Sequence, residues 1–149
     1  MLNEDYKEML SALLKNNARF LIVGAYSMAV HGFPRATGDI DIWVEATNEN
    51  SENVYKALSE FGAPLKEING ETFSVEGIVY QIGVAPRRID ILTAIDGVNF
   101  SEAYEKRKEF CIDDITLPFI SEGDLIANKE ASGRDKDKVD AKELRKKAK

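Results

Sequence analysis

Asp39 and Asp41 stand in the stretch RATGDIDIWVE (residues 35–45), where they alternate with Ile40, Ile42 and Val44. Side chains on a strand alternate faces with period two, so the pattern predicts a strand with its aliphatic residues on one face. Both carboxylates share the other face with Trp43. Two like charges roughly 7 Å apart on one strand face repel, and burying them costs desolvation free energy. A divalent cation offsets both penalties, and magnesium takes oxygen ligands with carboxylates as favoured protein anchors. Asp90, between Ile89 and Ile91 in RRIDILT, repeats the apolar–acid–apolar pattern. Pairing of the two strands therefore predicts a third carboxylate beside the first two. Asp-x-Asp alone is also compatible with ordinary acids on a half-exposed strand; its recurrence at Asp90 favours the metal.

A second chemical feature lies upstream. In VGAYSMAVHG a glycine, Gly24, closes an apolar segment and opens a helical one. Backbone N–H groups at such a turn can hold a phosphate, helped by the helix dipole. Thirteen residues separate Gly24-Ala25 from Asp39, room for one short helix and a return to the next strand. That path brings the turn alongside the carboxylates.

The elements that must position these residues follow from periodicity and breakers. Leu2, Tyr6, Met9, Leu10, Leu13 and Leu14 recur at helical spacing, and Asn16-Asn17 end that helix. RFLIVGA reads as a buried strand, YSMAVHGF as about two helical turns, and Gly38 to Glu45 as the aspartate strand. NSENVYKALSEFG is an amphipathic helix with Val54, Leu58 and Phe61 inward and Gly62 as its stop. ETFSV, GIVYQIG and RRIDILT read as strands, FSEAYEKR as a helix, and KEFCI with ITLPFI as a hairpin across Asp113-Asp114. Ser121 and Asp124 give a capping-box-like start to GDLIANKEAS, Gly133 breaks it, and a polar helix covers Asp137 to Lys147. No repeat or long linker divides the chain. The expectation is a single α/β (α+β) domain over residues 1–149, a mixed sheet with helices packed around it and a polar helical segment from about residue 121.

Composition bounds the remaining possibilities. Of 149 residues, 44% are hydrophobic and 31% charged, as in soluble globular domains. No apolar run approaches the roughly 18 residues that cross a membrane, and the acidic N-terminus MLNEDYKEML does not read as a secretory signal. One cysteine, Cys111, excludes an intramolecular disulfide and a cysteine-rich metal site, and reads as a small, partly buried strand residue. A cytoplasmic location fits these features. The net charge of −6 argues against a broad nucleic-acid groove, yet from Asn128 onward nine Lys or Arg face five acids. Such asymmetry marks either a basic arm for an anionic ligand or a solvated helix face.

Taken in order, these features resemble the nucleotidyltransferase superfamily that shares the fold of DNA polymerase beta. LIVGAYSMAVHGFPRATGDIDIWVE carries its turn and its Asp-x-Asp, and Asp90 supplies the third acid on a later strand. HGFPRATGDID, NVYKALSEFGAP and DLIANKEASGRDKDKVDAKEL are similar to segments of small prokaryotic nucleotidyltransferase-like proteins related to abortive-infection toxins. The resemblance covers most of the chain. It implies that Asp39 and Asp41 hold magnesium ions, while Asp90 completes the site and helps activate the attacking hydroxyl. It also implies Gly24 against the triphosphate with Ser27 nearby, Arg35 neutralising phosphate, Thr37 positioning its loop, and Lys129 reaching phosphate or base. One residue departs from the pattern: Ala25 stands where the superfamily usually has Gly or Ser. It offers no hydroxyl but keeps its backbone N–H.

The resulting expectation is a Mg2+-dependent nucleotidyltransferase moving a nucleoside monophosphate from an NTP, with ATP the leading donor, to a hydroxyl on a protein, an RNA or a small molecule. The chain leaves little room for an acceptor domain, so a protein partner or large substrate can supply part of the site. A catalytically weak or inactive nucleotide-binding module of a toxin–antitoxin system is the alternative that Ala25 favours. A two-metal phosphodiesterase is a third reading. His31, the only histidine, reads as a helix-end group with a satisfied hydrogen bond rather than a base. Arg87 and Arg88 read as a solvated strand end rather than a phosphate contact, and Lys136, Lys138 and RKKAK as a soluble helix and tail.

Overall fold

A computed structural model describes residues 2–148. Its centre is a six-stranded mixed sheet in the order β3-β4-β2-β1-β6-β5. The strands are β1 (Phe20–Val23), β2 (Asp39–Val44), β3 (Val79–Ile82), β4 (Arg88–Leu92), β5 (Lys108–Ile112) and β6 (Ile115–Phe119). The helices are α1 (Glu4–Lys15), α2 (Gly24–Val30), α3 (Asn48–Phe61), α4 (Phe100–Glu105), α5 (Glu122–Ser132) and α6 (Asp135–Ala148).

The alternation in β2 sorts its residues onto two cores. Ile40, Ile42 and Val44 pack with Met9, Leu10 and Leu13 of α1 and with Val54 and Leu58 of α3. Trp43, on the opposite face, packs with Phe100 of α4, Leu125 of α5 and Leu144 of α6. Sheet residues buried on both faces explain why β1 reads as a continuous apolar run rather than an alternating one. β2 runs antiparallel to β1 and parallel to β4, in a register that sets Asp39 opposite Arg88 and Asp41 opposite Asp90.

Local chemistry fixes the element ends. The side chains of Asn3, Thr47 and Ser121 accept backbone N–H groups in the first turns of α1, α3 and α5. Gly133 ends α5 in the left-handed conformation. Asp113 and Asp114 both adopt positive φ, joining β5 to β6 as the hairpin the sequence predicts.

Two expectations are corrected and one is completed. ETFSV is not a strand: Thr72–Ser74 forms a short 3-10 turn. Side chains compete for its backbone: Asn69 Oδ1 accepts the Glu71 N–H (2.8 Å), Ser74 Oγ donates to the Glu71 carbonyl (2.6 Å), and Ser51 Oγ of α3 accepts the Phe73 N–H (2.9 Å). Cys111 is exposed, since β5 lies at the sheet edge. The last helix is exposed at Lys136, Lys138, Arg145, Lys146 and Lys147, as expected, but its other face is not: Asp137, Asp140, Ala141 and Leu144 form a buried stripe at helical spacing. Two of those four positions are aspartates, so the stripe is invisible to a hydropathy reading.

Candidate active site

β1 ends at Val23, and the chain turns directly into α2 at Gly24, whose φ of +71° is a region open to glycine but costly for other residues. The Asp41 carboxylate fills the space a side chain at residue 24 would need. Gly24 thus lets the turn and the acidic strand approach each other. Ser27 does not reach the cleft: it is fully buried and donates to the Gly24 carbonyl (2.7 Å), which braces the turn from behind.

The pairing of β2 with β4 gathers the acids. Ligand-capable oxygens of Asp39, Asp41 and Asp90 lie within 4.8 Å of one another. Thr37 Oγ1 donates to Asp39 Oδ1 (2.9 Å) and so orients the first carboxylate. Arg88, two residues before Asp90 on the same strand face, enters the group from the side. Its Nη2 donates to Asp39 Oδ2 (2.7 Å) and Asp90 Oδ2 (3.1 Å), and its Nε donates to Asp90 Oδ1 (3.0 Å). The expectation of a solvated strand end is corrected for this residue. Tyr6 of α1 anchors the backbone beneath it, donating to the carbonyls of Pro86 (3.2 Å) and Arg88 (3.1 Å). Burial pushes the Tyr6 hydroxyl up to about 12, with Tyr26 and Asp39 adding to the rise.

Asp41 carries the electrostatic cost of this crowding. Burial, then the charges of Asp39 and Asp90 and a hydrogen bond with Asp90, push its carboxyl up to about 7, against the opposing pull of Arg88. Three hard oxygen donors, converging and mutually repelling, fit a magnesium-type cation, whose charge relieves the strain that raises Asp41. The donor set therefore suits the metal that the sequence pattern predicts.

Asp39 and Asp41 line a cleft of about 700 Å³ together with Gly24, Ala25, Arg35, Thr37, Lys129 and Arg134. Its basic side is built on α6. Arg35 forms a two-pronged ion pair with Asp140 (3.0 and 3.1 Å), and Lys129 Nζ lies 3.1 Å from both Asp137 and Asp140. Ser132 (2.6 Å) and Arg134 (3.0 Å) complete the bonding of Asp137. Burial raises both carboxyls, but Ser132 and Lys129 at Asp137, and Arg35 and Lys129 at Asp140, outweigh it and hold them below the ordinary range. The structure thus brings Gly24, Arg35, Thr37, Asp39, Asp41, Asp90 and Lys129 to one place. Arg88, Asp137 and Asp140 join them without having been read from the sequence. His31 stays out, with Nε2 donating to the Ile120 carbonyl (2.8 Å).

A mixed sheet with two acids on one strand, a third on its parallel neighbour and a glycine turn beside them is the architecture of a nucleotidyltransferase. The chain belongs to the family described as nucleotidyltransferase of unknown function (DUF6036), whose model matches residues 1–146. Similar folds include a candidate nucleotidyltransferase from Thermotoga maritima, at TM-score 0.59 and 16% identity over 98% of this chain and 94% of that one. Lincomycin-bound LnuA, a lincosamide antibiotic adenylyltransferase, aligns at TM-score 0.58 and 15% identity over 97% of each chain. ANT(2″)-Ia in complex with adenylyl-2″-tobramycin aligns at TM-score 0.54 and 15% identity over 97% of each chain. At these identities the likeness is one of fold. No curated protein sequence matches the chain. Among the described residues, no helix is long and apolar enough to cross a membrane.

Proposed function

We propose that residues 1–149 form one nucleotidyltransferase domain that moves a nucleoside monophosphate from an NTP to a hydroxyl acceptor. The observation that carries this reading is the convergence of Asp39, Asp41 and Asp90, the first two of which line the cleft beside the Gly24 turn. In the reaction an acceptor oxygen bonds to the α-phosphorus and the bond to the β-phosphate oxygen breaks. Pyrophosphate leaves, and the acceptor proton passes to Asp90. Asp39, Asp41 and Asp90 hold the divalent metal, which when bound supplies Lewis-acid stabilisation of charge on the phosphates. The α2 turn offers backbone N–H groups to the triphosphate, and Arg35 and Lys129, which line the same cleft, add positive charge. Magnesium is the metal this donor set favours.

ATP is the donor we propose, because two proteins of similar fold are named for adenylyl transfer. One is bound to lincomycin and the other to adenylyl-2″-tobramycin, so a small hydroxyl compound joins protein and RNA as an acceptor class, with a protein partner able to complete the site. Ala25 lines the cleft with a methyl group in place of a hydroxyl, and this favours a second reading, a nucleotide-binding module of a toxin–antitoxin system with little or no catalysis. Incubation with α-labelled NTPs, Mg2+ and cell extract separates the readings. Label transfer that disappears in Asp41→Asn supports the enzyme. Retained nucleotide binding without transfer supports the module, and free nucleoside monophosphate indicates a phosphodiesterase.

A further inference from the structure

Arg88 donates three hydrogen bonds into the acidic group, and all three go to oxygens that a shared cation needs. Its fork takes both oxygens of Asp90, and its Nη2 bridges to Asp39. The remaining Asp39 oxygen receives the Thr37 hydroxyl. Arg88 makes no hydrogen bond to Asp41, the acid left with the raised pKa. A guanidinium in this position does what a cation would do: it neutralises two of three clustered carboxylates and fixes their spacing. A divalent ion that engages Asp90 meets a like charge within hydrogen-bonding distance of its own ligands.

We propose that Arg88 is a displaceable counter-cation, which keeps the acids assembled before the metal arrives and must release Asp90 when the metal binds. The inference rests on the metal-site reading above and concerns how that site fills. Two features of the structure make release feasible. The Arg88 side chain is 36% exposed, so it has a path to solvent, whereas Asp90 is 8% exposed and cannot leave. The Arg88 backbone is held separately, by Tyr6 at its carbonyl and by its own N–H donating to Gly38 O (3.3 Å), so the side chain can swing without unpairing the strand. The consequence is a site that is weak for free metal. Metal held jointly by the acids and by a triphosphate gains charge that Arg88 cannot offer, so filling is favoured when nucleotide and metal arrive together.

The test uses Mn2+ alone as probe, with binding read from the loss of the EPR signal of the free aqueous ion. Parent, Arg88→Gln and Arg88→Lys are compared without nucleotide, and each is melted in EDTA. Arg88→Gln should bind Mn2+ at least about tenfold more tightly, because it removes a competing charge-assisted contact, while melting at lower temperature without metal. Arg88→Lys should remain near the parent in both. A merely structural arginine would give weaker or equal Mn2+ binding in Arg88→Gln, and that result overturns the proposal. Absence of binding in all three proteins overturns the metal-site reading itself. A second measurement needs no variant: the Arg88 Nε–H NMR signal of the parent should be protected from exchange in EDTA and lose protection on saturation with Mg2+. Persistent protection overturns the proposal.

Discussion

Asp41 on β2 and Asp90 on β4 are direct Cα partners across a parallel strand pair, with carboxylate oxygens within 4.8 Å of each other. Neighbouring strands lie about 4.8 Å apart, so this register commits two acids to one another's field. The raised Asp41 pKa is the measurable result. Everything else at the site answers to that crowding: Gly24 makes room for it, and Arg88 neutralises part of it.

Stability should therefore depend on pH in a specific direction. Asp41 stays protonated in the folded protein up to about pH 7 but ionises near pH 4 when unfolded. Between those values the native state binds more protons, so the metal-free protein loses stability as pH rises and the loss levels off above about 7. Asp41→Asn should be at least as stable as the parent at neutral pH and lack this decline. Mg2+ should stabilise the parent by about 2.7 kcal/mol at roughly a hundredfold excess over its dissociation constant, and the variant by much less. Melts from pH 4.5 to 8, in EDTA and in Mg2+, check both. A clearly destabilised variant with an unchanged Mg2+ response would assign Asp41 a structural role.

Gly24→Ala tests the turn. The new methyl meets the Asp41 carboxylate, and positive φ adds about 1–2 kcal/mol of backbone strain. The variant should melt lower than the parent and lose most of the Mg2+ response, because Asp41 is displaced. An intact response measured by the same melts would separate the turn from the acids.

Lys129→Ala should be costly before any ligand is considered. Lys129 is 12% exposed and Asp137 and Asp140 are each 8% exposed, so its removal leaves two buried carboxylates short of a partner. A loss of about 3 kcal/mol is expected, the lower end for a broken buried pair, since Arg35 and Arg134 remain. Lys146→Ala, at an exposed position, should change stability by less than about 0.5 kcal/mol. The depressed pKa values of Asp137 and Asp140 also fix an acid limit. Their contribution is complete above the unfolded value near 4 and disappears as pH falls through the folded values. Denaturant titrations at pH 7 and pH 3 give both quantities.

Much of the site was legible because it depends on alternation. Asp41 and Asp90 each sit between two isoleucines and Asp39 stands two residues before Asp41, so period two aims them without knowledge of the fold. Arg88 obeys the same rule, two residues before Asp90, but a basic residue at a strand end is so often solvated that the sequence gives it no such role. Asp137 and Asp140 were hidden for a different reason. Their role depends on how α6 folds back across Gly133 onto α5, and a helix–helix angle leaves no periodic trace. Ser27 lies beside Gly24 at the start of the helix, as its spacing predicts, but its burial follows from the packing of α2 and leaves no mark in the sequence.

The most direct measurement is a paired labelling experiment with purified protein, Mg2+, extract and ATP carrying label at either the α- or the γ-phosphate. Nucleotidyl transfer predicts that α label becomes attached to an acceptor while γ label appears only as pyrophosphate. Both products should vanish in Asp90→Asn. Attachment of γ label, or release of α label as free nucleotide, would contradict the account.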